Sequence, residues 1–115
     1  MTNPSTIPRG NTAGLWLLGV TLSPGLIAPD TSAEQTFTVN GLHLGDFVDI
    51  NKPTSQAGLG IVGVRVAAKD TLAINFINAT AATITPTASE AYILQVQRAD
   101  NLNSAATAPV LANPS

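Results

Sequence analysis

The sequence predicts a small all-β protein, an antiparallel β-sandwich of six or seven short strands with extended arms at both ends. Apolar side chains recur at every second residue in several separate stretches, the period that sends alternate side chains to opposite faces of a strand. Clusters of Gly, Pro, Asn and Ser punctuate those stretches. No window of about eleven residues carries its apolar positions at helical spacing. A jelly-roll and an immunoglobulin-like strand order both produce this pattern, so it leaves the topology open. At 115 residues the chain suits one domain and is long enough to bury a core without disulfides or a metal. The expected division is an N-terminal arm over 1–12, a sandwich over 13–100 and a C-terminal tail over 101–115.

Residues 1–11, MTNPSTIPRGN, hold two prolines and no apolar periodicity, which suits an arm that finds order against a neighbour. The apolar run Ala13 to Val20 lacks the flank and cleavage site of a secretory leader. Ser23-Pro24-Gly25 stops it far short of a bilayer span, so the chain reads as soluble. Leu15 to Thr21 fits a strand, with the single tryptophan, Trp16, placed in core or interface. Leu26-Ile27-Ala28 adds a short strand before the turn cluster Pro29 to Ser32. Glu34 to Val39 alternates Phe37 and Val39 against Thr36 and Thr38, a third strand. Asn40-Gly41 and Gly45-Asp46 are turn pairs around the connection Leu42-His43-Leu44, and Phe47 to Ile50 follows as a strand.

Asn51 to Gly60, NKPTSQAGLG, is the longest internal loop. Its Gly-x-Gly is no phosphate cradle, because neither GK[ST] nor a helix follows. The centre of the chain is Gly58 to Asn78, two strands joined at Lys69-Asp70. Val62, Val64 and Val66 are expected to point inward from the first, and Leu72, Ile74 and Phe76 from the second. Six such side chains contribute about 1.5–3 kcal/mol each on burial, too little for a lone hairpin, so other strands must close over it. Ala79 to Ser89 reads as a loop or edge strand around Ile84 that Pro86 stops, and it opens on the formal glycosylation sequon Asn78-Ala79-Thr80. Tyr92, Leu94 and Val96 mark the last strand, which ends at Arg98-Ala99-Asp100.

Charged residues make up 10% of the chain, against about 25% in ordinary soluble proteins. A surface so neutral favours burial in a permanent assembly. Five Lys plus Arg, never clustered, and a net charge of −2 argue against nucleic acid. With no cysteine, one histidine and seven carboxylates, the inventory for triad or metal chemistry is thin, and no enzyme activity, cofactor or metal site is expected. Asp46 and Asp49 read as a solvated turn acid and a strand-edge acid, His43 as a surface residue, and Lys69-Asp70 as a turn pair.

The segment from Glu34 to Arg98 carries a distinctive order: TFTVNGL, a KPT loop, GLGI, a V-R-V strand, a D-T-L-A-I strand and an I-T-P-T stop. In that order it resembles a β-sandwich module of tailed-bacteriophage virion proteins, among them capsid decoration (cement) proteins and head fibres. The resemblance implies a structural protein made in the bacterial cytoplasm and displayed in many copies, forming a homo-oligomer, a trimer. It would bind major capsid protein on the outside of the shell, with no membrane partner. Ile7, Pro8, Arg9 and Trp16 are the anchoring residues this implies, with Val110 and Leu111 as the C-terminal contact. A carbohydrate-binding or host-adhesin module of a phage fibre or tail is the alternative.

Overall fold

The computed structural model describes residues 12–100, and they form an all-β sandwich of two antiparallel sheets. Ile7, Pro8, Arg9, Val110 and Leu111, and with them the expected arm and tail, lie outside the described residues. The strands are β1 (Thr12–Leu22), β2 (Thr31–Thr38), β3 (Phe47–Asn51), β4 (Leu59–Ala68), β5 (Thr71–Asn78) and β6 (Glu90–Ala99). One sheet has the order β1-β6-β3 and the other β2-β5-β4. Every connection except the β4–β5 hairpin crosses from one sheet to the other.

Period-two alternation builds the core. Leu72, Ile74 and Phe76 of β5 and Tyr92, Leu94 and Val96 of β6 are all buried, and these two central strands face each other across the interior. Val48, Val66, Leu22, Ile27, Val39 and Leu42 complete it. The expected short strand at Leu26-Ile27-Ala28 is a single antiparallel bridge, Ile27 to Ile84, closed by hydrogen bonds of 2.7 and 3.1 Å.

One expected orientation is corrected. Val66 is buried and Val64 half-buried, but Val62 is 57% exposed. The register steps from Ile61 opposite Phe76 to Gly63 opposite Asn75, so Val62 is the extra residue of a β-bulge. The bulge reverses the parity of β4. Leu59 and Ile61 pack inward before it and Val64 and Val66 after it.

The outer face of β2-β5-β4 is closed by charge. Arg65 on β4 reaches across β5 and donates Nε and Nη2 to Glu34 on β2 at 2.9 and 2.8 Å. Ala73 on the strand between them is fully buried, its small side chain facing outward between the two edge strands.

Candidate functional site

The outer face of the β1-β6-β3 sheet has a different character. Register places Leu15, Gln97 and Phe47 in one row across it, Leu17, Gln95 and Asp49 in the next, and Gly19, Ile93 and Asn51 in the third. Leu15, Leu17, Phe47 and Ile93 are 58, 71, 63 and 47% exposed. Asp49 is the one charge among them, and it accepts from the N–H of Ile50 at 2.9 Å.

At one end of the sandwich, Trp16 shares the inward face of β1 with Leu18, yet it remains 41% exposed because it lies beyond the packed core. Its indole folds back over Gly14, where a Cβ would overlap the ring. The Arg98 guanidinium lies 5.0 Å from the ring centroid, a cation–π contact. Trp16, Leu18, Leu42, Val96, Asn40 and Arg98 line an open, mostly apolar cleft of about 190 Å³.

Arg98 is fixed in that cleft from behind. Its Nε donates to Asp46 Oδ1 at 2.8 Å and its Nη2 to Asp46 Oδ2 at 2.7 Å, and Nη2 also donates to the Gly41 carbonyl at 2.9 Å. The His43 N–H adds a bond of 2.9 Å to Asp46 Oδ2. Asp46 is therefore no solvated turn acid: its side chain is 2% exposed. Hydrogen bonding from Arg98 holds its carboxyl below the usual carboxylate range, and the opposing effect of burial does not cancel this. His43 itself is exposed.

Lys69-Asp70 forms the β4–β5 turn, as expected, and Asp70 has a further role there. It sits at φ 57°, accepts from the Gly41 N–H at 2.7 Å, and exchanges backbone bonds with Val39 and Leu42. The β4–β5 turn thereby fixes the floor of the cleft.

No family model, curated protein or solved structure matches the chain.

The site is thus read from its own geometry. Among the described residues no group of three or more His, Cys, Asp or Glu could hold a metal ion, and no helix is long and apolar enough to cross a membrane. Two of the motifs that carried the resemblance, the KPT loop and the ITPT stop, lie at the other end of the sandwich, where they tie loops together. Lys52 approaches Glu90 at 2.9 Å and donates to the Thr54 carbonyl at 2.9 Å, while the Thr54 hydroxyl donates to Glu90. The Thr54 hydroxyl first, and Lys52 after it, hold the Glu90 carboxyl below its ordinary value. Gln56 donates to the Thr85 carbonyl at 3.1 Å and accepts from the Thr87 N–H at 2.9 Å, joining the KPT loop to the ITPT stop.

The sequon asparagine is structural. Asn78 is fully buried, donates Nδ2 to the carbonyls of Ile27 and Ala82 at 3.1 and 2.7 Å, and accepts at Oδ1 from Thr80 N–H and Oγ1 at 2.9 and 2.7 Å. An amide so enclosed is inaccessible to a glycosyltransferase in the folded chain.

Proposed function

We propose that this chain is a structural protein of a bacteriophage virion, a capsid decoration protein that binds the outer surface of the major capsid shell and stabilises it. The observation that carries the reading is the outer face of the β1-β6-β3 sheet, where Leu15, Leu17, Phe47 and Ile93 stand in solvent among neutral glutamines. Single exposed apolar residues are ordinary; several on one sheet face mark a docking surface. Contact of this kind is non-directional and excludes water, which suits a permanent assembly, and it exists only when the shell is built, so it stabilises the assembled state by mass action. The ordered motifs between Glu34 and Arg98 lend support through their resemblance to virion sandwich modules. A homo-oligomer, the expected trimer included, would present several such faces to neighbouring capsomers, with Ile7, Pro8, Arg9, Val110 and Leu111 adding contacts from the arms.

Two measurements test this. Quantitative mass spectrometry of intact virions should give a copy number near that of major capsid protein, or a simple symmetric fraction of it. Co-sedimentation with undecorated shells should be lost in Phe47→Asp and Ile93→Asp, whose sites are too exposed for either change to unfold the domain. Full binding by both variants refutes the docking face.

The exposed Trp16 ring favours a second reading, a glycan-binding module of a fibre or tail. An aromatic face bordered by the Asn40 amide and the Arg98 guanidinium is the chemistry that holds a sugar ring. A glycan-array signal that disappears in Trp16→Ala would replace the first reading with this one.

A further inference from the structure

Each sheet has two edge strands, and three of these four edges carry the features that keep an edge from pairing. Strand β3 is only five residues long and carries Asp49. Strand β4 is bulged at two places and carries Arg65. Strand β2 carries Glu34, and its Gln35 side chain is bonded to both the N–H and the carbonyl of Gly25. Strand β1 has none of them: eleven residues, TAGLWLLGVTL, with no charge and no proline, and with a single irregularity confined to its start.

We propose that β1 is an interface between two copies of this chain, paired antiparallel about a two-fold axis through Leu17. A two-fold axis sets every residue near the axis against its own copy or a close neighbour, so a charged edge would repel itself and an uncharged one does not. The side chains also fit this register. Leu17 meets Leu17, Leu15 lies opposite Gly19 on the outer face, and Trp16 lies opposite Leu18 on the inner face. Nothing lies within 4 Å of the position a Cβ on Gly19 would take, so the partner's 58% exposed Leu15 has open space to fill. The result is one six-stranded sheet, β3-β6-β1 continuing into the partner's β1-β6-β3, with both apolar faces on the same side. The interface is independent of the virion reading. A chain that uses it together with a three-fold contact assembles as a hexamer.

The protein contains no cysteine, so single cysteines report the register directly. Antiparallel partners lie about 4.5–5.5 Å apart at Cα, inside the span a disulfide bridges. Leu17→Cys, oxidised in the full-length protein at micromolar concentration, should form a disulfide-linked dimer on the order of 100-fold faster than Leu15→Cys or the exposed-turn control Asn40→Cys. An equimolar mixture of Leu15→Cys and Gly19→Cys chains should cross-link although neither does alone. Light scattering of the wild type should give an even number of copies. Equal rates for all three single variants, an unlinked Leu17→Cys, or a monomer or free trimer in solution overturns the proposal and assigns the edge to another chain or to a terminal segment.

Discussion

Asn78→Asp changes one group and almost no volume, and the structure sets its cost. The Asn78 amide donates to two carbonyls and accepts from two groups of Thr80, all in a site with no solvent exposure. Aspartate keeps the accepting side and turns its second oxygen toward the carbonyls of Ile27 and Ala82. Each of the two lost donor bonds costs about 1 kcal/mol. Enclosing a charge with no cation beside it adds several kcal/mol, so the variant should lose about 4–5 kcal/mol at pH 7.5, against a total stability of about 5–15 kcal/mol. The same enclosure raises the folded-state pKa of the new carboxyl above the unfolded value of about 3.9. The folded variant therefore takes up a proton where the unfolded chain does not. The deficit shrinks as pH falls through the raised pKa, by about 1.4 kcal/mol per pH unit, until the unfolded chain titrates too. Urea unfolding at pH 7.5 and 5.0, at fixed protein concentration, gives both numbers. A loss below about 1 kcal/mol at pH 7.5, or a loss equal at both pH values, would show that the Asn78 amide is not held as described.

Three further outcomes follow from other sites. Arg98→Met strands the Asp46 carboxylate with only the His43 N–H and should cost about 3 kcal/mol by urea unfolding. Because Asp46 titrates lower in the folded than in the unfolded state, the wild-type pair contributes fully above about pH 4 and its contribution fades as pH falls through the folded value; an acid titration should show that loss in wild type and its absence in Arg98→Met. Gly58 sits at φ 80°, and a Cβ there would collide with Thr80 Cγ2, so Gly58→Ala should cost about 1–3 kcal/mol, with Thr80→Ser recovering the steric part and leaving the backbone part. The buried Tyr92 hydroxyl has no group to bond among the described residues, and burial, then the charge on Glu90, push its pKa up to about 12; Tyr92→Phe should leave thermal stability unchanged or raised, and a loss above about 1 kcal/mol would show that the hydroxyl is bonded.

The sequence made the strands legible and the site much less so. Alternation in Leu72, Ile74, Phe76 and in Tyr92, Leu94, Val96 located the two central strands, because both are flanked on each side and must bury one whole face. Val62 broke the same rule. A bulge depends on the pairing of β4 with β5, and nothing local to Ile61-Val62-Gly63 records it. Asp46 was misread for a related reason: its turn signal with Gly45 is local, while its partner Arg98 lies 52 residues away. Trp16 was placed in core or interface, and only the tertiary fold shows how its ring lies, over Gly14 and beside Arg98, where it opens a cleft. The choice between two named sandwich topologies stayed open because sheet-crossing order leaves no periodic trace; the described residues adopt a three-plus-three order, with fewer strands among them than either.

The pairing of β1 with β6 joins the beginning of the described chain to its end, Thr12 opposite Ala99. On the ribosome, β1 is therefore the first of the described strands to emerge and its partner the last, and β3 waits for the same strand, since β6 is the centre of their sheet. The β4–β5 hairpin and its neighbour β2 can form while synthesis continues, so half of the sandwich precedes the other half in time. Throughout that interval TAGLWLLGVTL, the uncharged and least guarded edge strand, is unpaired. Loop closure over nearly the whole domain must precede its reward, the condition under which strand pairing is slow and an unpaired apolar strand is exposed to aggregation. A circular permutant that joins the two ends and opens the chain between β3 and β4 makes β6 and β1 consecutive, and would move that hazard to a different strand.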